Sequence, residues 1–168
     1  YFQSVVEGAG LEMVALGSAD EYRELMQHPD LWHPRRGLKL VLTRGAAGYM
    51  RAAYAAIESN YRPGETVLAA HGLDLASRVF HDKHGAPLAT VHFAPFALMT
   101  LHDTPRYIGA PNMRGWPRWA KAAVFWAGDR VITDPAVAPT VNAIRAEQGL
   151  PAVRRVFSGW NNSPQLVL

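Results

Sequence analysis

A strand–helix–strand pattern in the middle of this 168-residue chain constrains its fold more than any other feature. Thr66–Ala70 (TVLAA) is apolar on both faces, as strands of parallel sheets are, and Leu88–His92 (LATVH) predicts the next strand. Between them, apolar residues recur at three- and four-residue steps, which predicts a helix over residues 73–84 that Gly85 ends. This order predicts an α/β fold with a mostly parallel sheet. The residues expected on the inner face of the helix are Leu75, Ala76, Val79 and Phe80.

Two further apolar segments predict strands near the two ends of the chain. They are Leu11–Leu16 (LEMVAL) and Leu166–Leu168, and we expect both to join the other strands in one parallel sheet. A doubly wound, Rossmann-like sheet in a domain of ordinary size has more strands than these. The sequence therefore predicts part of such a domain.

The other helices are predicted from apolar periodicity and capping residues. Ser18, with Glu21 three residues later, forms a capping box that opens one of them. A later helix is expected to turn a stripe of tryptophan and alanine inward and to be broken at Asp134-Pro135. The predicted spans are 18–28, 37–59, 116–132 and 137–148, and the inward stripe consists of Trp119, Ala122, Ala123 and Trp126.

Composition excludes several kinds of chemistry. The chain has no cysteine, which rules out disulfides, thiolate zinc sites and cysteine nucleophiles. His81 and His84 share one face of a predicted helix, but the pattern offers no third ligand, so no metal is expected. A cysteine-free chain fits a reducing compartment, and we expect a cytoplasmic location, with or without peripheral membrane contact.

Basic residues outnumber acidic ones and give a net charge of +3. Two basic clusters fit phosphates or an anionic membrane face, and they equally fit ordinary solvated helix faces. No nucleic-acid-binding motif accompanies them, so no nucleic-acid partner is expected. The clusters are Arg35, Arg36, Lys39 and Arg44, and Arg114, Arg118, Lys121 and Arg130.

A series of short stretches spread over almost the whole chain matches one family in order. The stretches are 11–17 (LEMVALG), 22–23 (YR), 29–34 (PDLWHP), 67–71 (VLAAH), 84–88 (HGAPL), 94–95 (AP), 101–105 (LHDTP), 142–145 (NAIR), 149–151 (GLP), 155–157 (RVF), Trp160 and 163–164 (SP). Together they resemble the bacterial family-1 glycosyltransferases, in particular the rhamnolipid-building rhamnosyltransferases and UDP-glycosyltransferase-like natural-product and sterol enzymes. No single stretch is specific, but the ordered set is.

The resemblance implies that residues 1–168 are part of the amino-terminal, acceptor-side domain of a GT-B fold. It implies an inverting, metal-independent transfer of a sugar to a lipid or apolar small molecule. The donor, a UDP- or dTDP-sugar, is a substrate, and no cofactor is expected. In that family the first strands, the glycine-rich loop with the catalytic His or Asp, and the carboxy-terminal donor-binding domain lie outside this segment. Residues 1–7 (YFQSVVE) match a short family helix, although residues 1–4 also look like the remnant of a purification tag.

His71 is the candidate catalytic residue, in a supporting role. It ends the strand that begins at Thr66, and the carboxyl edge of an open parallel sheet faces the ligand crevice. Resembling plant enzymes carry near this point an acidic residue that orients the catalytic His, whereas this chain has His71. The side chain is expected to contact the acceptor or the base-bearing loop. The alternative is a buried histidine bonded to backbone, with Asp74 capping the helix that follows.

The long connection from Phe93 to Pro117 is too apolar to stay without a packing partner. One candidate partner is an apolar acceptor, and the other is the helix that begins at Trp116. Trp32 is a further acceptor contact, with a role as core or domain-interface anchor as the alternative. The acceptor-binding candidates are Phe93, Phe96, Met99, His102 and Trp32.

Three function classes remain open. The first is one half of an inverting glycosyltransferase, and the second is a non-catalytic acceptor-binding or helper module of the same fold. The third is a sugar-nucleotide epimerase of the same architecture, which should carry catalytic acids in this domain, and no such constellation is evident.

Overall fold

The computed structural model describes residues 2–33, 36–94, 97–107 and 110–168. Over these ranges the chain is a mixed α/β structure with a three-stranded parallel sheet. The α-helices are α1 (Gln3–Gly8), α2 (Ala19–Gln27), α3 (Gly37–Leu40), α4 (Met50–Asn60), α5 (Leu75–His84), α6 (Arg118–Gly128) and α7 (Asp134–Glu147). The π-helical segments are π1 (Val41–Ala47), π2 (Asp129–Thr133) and π3 (Val156–Trp160), and the strands are β1 (Leu68–His71), β2 (Leu88–Val91) and β3 (Leu166–Val167).

The sheet has the strand order β1-β2-β3, and helix α5 connects β1 to β2. Leu68 is in register with Leu88, and Ala89 with Leu166. The parallel pairing predicted for these strands is confirmed, although the first strand begins two residues later than the pattern indicated and includes His71. Beyond β3, the Leu168 N–H donates to the Thr90 carbonyl oxygen at 2.8 Å and continues the pairing.

The strand predicted for Leu11–Leu16 does not form. The Leu11 N–H donates to the Val6 carbonyl oxygen and closes the carboxyl end of α1, with Gly10 in the left-handed conformation at φ 77°. Leu11, Val14 and Leu16 stay 63%, 52% and 42% exposed. A strand needs a neighbour to take its backbone hydrogen bonds, and none of the described residues pairs with this segment.

The long helix predicted over residues 37–59 is present as α3, π1 and α4, but its buried face differs from the face that three- and four-residue apolar steps predict, which includes Leu38, Leu42 and Ala52. Leu42 and Ala47 are both buried, five residues apart, and Met50 and Tyr54 continue the buried stripe. A π-helical turn holds more residues than an α-helical one, so π1 shifts the face that follows it. The residues expected inward at 38 and 52 are exposed as a result.

The break predicted at Asp134-Pro135 is wrong, since helical structure runs from α6 through π2 into α7. Pro135 lies in the first turn of α7, where a residue without an N–H is tolerated. The predicted inward stripe of α6 is also wrong. Trp119 and Trp126 are 75% and 54% exposed, whereas Lys121 and Phe125 on the opposite side are each only 6% exposed.

The core lies where α4, α5 and α7 pack together. The Phe80 ring contacts Tyr54 and Tyr61, with ring centroids 5.5 Å and 5.0 Å apart. The inward residues predicted for α5 are all confirmed as buried. The largest core side chains are Leu42, Met50, Tyr54, Leu75, Val79, Phe80, Val137, Val141, Ile144 and Val156.

Candidate functional site

The carboxyl edge of the sheet brings two histidines together with an exposed aromatic ring. His71 ends β1, His92 directly follows β2, and the His71 ring stacks on Phe93 with centroids 4.8 Å apart. His71 Nδ1 accepts a hydrogen bond from the Leu73 N–H at 3.3 Å. In the neutral ring the proton is then on Nε2, which has no hydrogen-bond partner within the described part of the chain. His71 therefore presents a donor at this edge.

His92 is held against the backbone of the loop that follows β1. Its Nε2 lies 2.8 Å from Asn162 Oδ1, and its ring packs so close to Gly72 that a Cβ there would lie 2.5 Å from Cε1. Asn161 Nδ2 donates to the Gly72 carbonyl oxygen at 3.1 Å. His92 Nδ1 and Asn161 Oδ1 are buried and have no hydrogen-bond partner among the described residues. Buried polar atoms of this kind are uncommon outside sites where a ligand or water satisfies them.

The sequence alone predicts that the two histidines lie at this edge, but it does not predict the two asparagines. His92 ends the second predicted strand, just as His71 ends the first, so parallel pairing alone places both at one edge. Nothing local marks Asn161 and Asn162, the second of which is 70 residues from His92 along the chain.

An ionic network positions the two asparagines. Asp82 accepts hydrogen bonds from Arg78, Arg145 and the Trp160 indole, the last at 2.8 Å. Arg78 Nε in turn donates to the carbonyl oxygens of Trp160 and Asn162, each at 3.1 Å. The backbone on both sides of Asn161 is therefore anchored to α5.

The pKa of Asp82 reflects this network. Burial by itself would raise the pKa of the carboxyl group. The hydrogen bonds from Arg145 and Trp160, with the charge and hydrogen bond of Arg78, outweigh burial and hold the pKa below its ordinary value. Asp82 is thus a carboxylate in a structural role, with the guanidinium groups of Arg78 and Arg145 lying 5.4 Å and 5.1 Å from the Trp160 ring centroid.

An apolar cleft of about 600 Å³ opens beside the residues that follow β1. Leu73 and Asp74 form one wall, and the connection between α1 and α2, π1 and α4 form the others, for example through Leu16, Tyr49 and Ile57. The Asp74 carboxylate caps α5 by accepting from the N–H groups of residues 76 and 77, as the capping interpretation predicted. The polar groups at the mouth are few, a composition typical of pockets for apolar small molecules.

The acceptor-binding candidates are not gathered around this cleft. Phe93 is 84% exposed on His71, and Trp32 is 82% exposed rather than part of the core. Met99 is half-buried and His102 is exposed, and none of these side chains lines the cleft. Phe96 lies outside the described residues.

The connection after β2 packs on α6, which is the alternative partner considered from sequence. Lys121 Nζ donates to the His102 carbonyl oxygen at 3.0 Å. The Tyr107 and Phe125 rings meet edge to face, with centroids 6.1 Å apart. Helix α6 therefore contacts the described part of this connection through the buried Lys121 ammonium group and the Phe125 ring.

The predicted histidine pair on α5 has structural contacts. His81 Nδ1 donates to the Ala86 carbonyl oxygen at 2.7 Å, and the His84 ring stacks on Phe80 with centroids 4.3 Å apart. Across the described ranges, no three His, Asp or Glu side chains come together as metal ligands would. Over the same ranges, no helix has the length and apolar character needed to cross a bilayer.

Fold and site together define a parallel-sheet α/β protein with a histidine- and asparagine-lined edge next to an apolar cleft. No protein-family model, no curated protein and no solved structure matches the chain.

Proposed function

We propose that this chain is the acceptor-side part of an inverting glycosyltransferase with a Rossmann-like fold. The enzyme would move a sugar from a UDP- or dTDP-sugar to a lipid or apolar small molecule. The observation that carries the proposal is the polar edge of His71 and His92 beside an apolar cleft of about 600 Å³. An acceptor with an apolar body and one reactive hydroxyl group needs these two environments side by side. The ordered motif stretches support the same class.

The chemistry assigns different tasks to the two environments. The acceptor hydroxyl oxygen attacks the anomeric carbon, the bond from that carbon to the diphosphate breaks, and the hydroxyl proton passes to a base. In this proposal the base lies on the glycine-rich loop that the resemblance implies. His71, as a donor through Nε2, orients either that base or the acceptor oxygen. The apolar cleft binds the body of the acceptor and excludes water around the reacting hydroxyl group.

The direct test is sugar transfer by the full-length protein. Radiolabelled UDP- and dTDP-sugars are incubated with hydroxylated acyl chains, sterols and phenols in the presence of EDTA. A glycoside with inverted anomeric configuration supports the proposal. Acceptor binding without transfer would instead identify a helper module, and conversion of the donor without any acceptor would identify an epimerase. Either of these outcomes would overturn it.

A further inference from the structure

Helix α6 turns one charged side chain toward the protein, and π2 does the same with another. Lys121 and Asp129 are only 6% and 2% exposed. Lys121 donates to the His102 carbonyl oxygen, and Asp129 accepts hydrogen bonds from Thr133 and Ser158. Charged residues are rarely this buried without partners, and Phe125 lies buried on the same inward side.

The outward side of α6 and π2 carries several exposed aromatic and aliphatic side chains. Trp119, at 75% exposed, and Trp126, at 54%, lie seven residues apart on one stripe, which π2 extends with Val131 at 74% and Ile132 at 48%. Scattered single apolar residues on a surface need no explanation, but two exposed indoles on one helical stripe, followed by two exposed aliphatic side chains, point to an interaction site. We call this surface the tryptophan face and define it as Trp119, Ala123, Trp126, Arg130, Val131 and Ile132.

Cations without acidic neighbours border the tryptophan face. Arg114, Arg118 and Arg130 are exposed, and none of them forms an ion pair with a described residue. The Arg130 guanidinium lies over the Trp126 ring, 5.8 Å from its centroid. Asp129 is the only acidic residue between positions 110 and 133, and it is buried. The exposed charged side chains between positions 110 and 133 are therefore all cations.

We propose that the tryptophan face is a membrane-docking surface that binds the interface of an anionic phospholipid bilayer. Indole rings favour the headgroup level, where their apolar body and N–H group are both accommodated. The arginines extend apolar stems along the bilayer surface and place their charges among lipid phosphates. A helix of this kind lies in the interface plane and does not cross it. The inference goes beyond the proposed function, since it requires no sugar transfer.

Vesicle sedimentation tests the proposal directly on the purified protein. Vesicles of phosphatidylcholine mixed with phosphatidylglycerol should bind the protein, vesicles of phosphatidylcholine alone should bind it less, and high salt should release it. Trp119→Ala combined with Trp126→Ala should lower the partition coefficient by about tenfold or more. Val67→Ala is the control, because Val67 is an apolar side chain that is 69% exposed just before β1, outside the tryptophan face, and its truncation should leave the partition coefficient unchanged.

The charge contribution is tested in the same assay. Arg130→Glu should weaken binding to the anionic vesicles more than Arg62→Glu, whose side chain is 80% exposed away from the face. Far-UV circular dichroism and thermal melting should be unchanged in every variant, because all the substituted side chains are exposed.

Three outcomes would overturn the proposal. The first is a partition coefficient that the paired tryptophan substitution leaves unchanged, or that Val67→Ala lowers equally. The second is dimerisation in light scattering that Trp126→Ala abolishes, which assigns the face to a second copy. The third is protection of the indoles from acrylamide quenching before vesicles are added, which assigns the face to another part of the full-length protein.

Discussion

The His71 ring lies parallel to the Phe93 ring, with an angle of 23° between their planes and 4.8 Å between their centroids. This contact ties the end of β1 to the second residue after β2. The hydrogen bond that His71 Nδ1 accepts from the Leu73 N–H leaves Nε2 as the nitrogen turned away from it. The predictions below test what this edge does and what holds it in place.

If the chain is part of a glycosyltransferase as proposed, His71→Ala in the full-length protein should lower kcat/KM by about 10²-fold, an effect typical of a positioned acid–base group. The melting temperature should change little, because the half-exposed ring makes few core contacts. Steady-state kinetics and thermal denaturation of the same preparation give both quantities.

His81→Ala is the control for this prediction. The His81 ring also bonds to a neighbouring backbone group, the Ala86 carbonyl oxygen, but it lies away from the edge. Its removal should cost about 1–3 kcal/mol of stability and leave activity per folded molecule near normal. A destabilised but fully active His71→Ala enzyme would falsify the site assignment of His71.

Phe93→Ala should raise the KM for the acceptor and leave the KM for the donor unchanged. Phe93 is 84% exposed, so the change removes a contact surface without opening a core cavity. Leu98→Ala, in the same connection and 41% exposed, is the comparison variant and should alter neither KM. Equal effects of Phe93→Ala on both KM values would count against acceptor binding at this edge.

Asp82→Asn should destabilise the fold by about 3 kcal/mol at neutral pH, since it leaves the buried cations Arg78 and Arg145 without a carboxylate. The folded pKa of Asp82 lies below the unfolded one. The stability that Asp82 contributes is therefore present above the unfolded pKa, near pH 4, and is lost as the pH falls through the folded pKa. Urea unfolding from neutral to acidic pH should show a smaller acid-induced loss in the variant than in the natural protein.

Glu147→Gln provides the contrast for Asp82. The hydrogen bond and charge of Arg51 lower the pKa of Glu147, yet this ion pair lies at the surface, with side chains 61% and 50% exposed. Solvent screens such pairs, so the variant should unfold at nearly the same urea concentration as the natural protein. If both variants lost the same stability, the buried network would have no special role.

Gly72→Ala should disturb the His92 position, because the new Cβ would lie 2.5 Å from the ring atom Cε1. Moving the ring breaks its contact with Asn162, and overpacking of this kind costs about 1–3 kcal/mol. The double variant Gly72→Ala/His92→Ala should recover part of that loss, since the smaller side chain leaves room for the methyl group. A double-mutant cycle measured by urea unfolding quantifies the coupling, and strictly additive losses would contradict the contact.

Local patterns were sufficient for several elements. The buried stripe of α5, its Asp74 cap and the glycine that ends it follow from helical periodicity and capping alone. The same holds for the capping box of Ser18 and Glu21. The apolar runs also located β1, β2 and β3 to within two residues, although the burial on both faces that such runs indicate is not seen in β3, where Leu166 and Val167 are 48% and 39% exposed.

Contacts between segments distant in sequence decided whether LEMVAL forms a strand and which face of α6 is buried. The segment LEMVAL has the apolar content of a strand, but a strand exists only when a neighbour takes its backbone hydrogen bonds. In α6 and π2 the periodicity identified two opposite faces but did not show which of them packs against the protein. The groups that contact the inward face, the His102 carbonyl oxygen and the Ser158 hydroxyl group, are distant in sequence.

The candidate site also has residues that the sequence predicted and residues that only the fold brought there. The sequence by itself placed His71 and His92 at the ends of successive strands, and parallel pairing then required a shared edge. It gave no sign that Asn161 and Asn162 would reach that edge. They do so because Asp82, Arg78 and Arg145 anchor the turn after π3 to α5 and α7, across more than sixty residues of chain. Charge pairing at that separation depends on the folded path of the backbone, which no local pattern encodes.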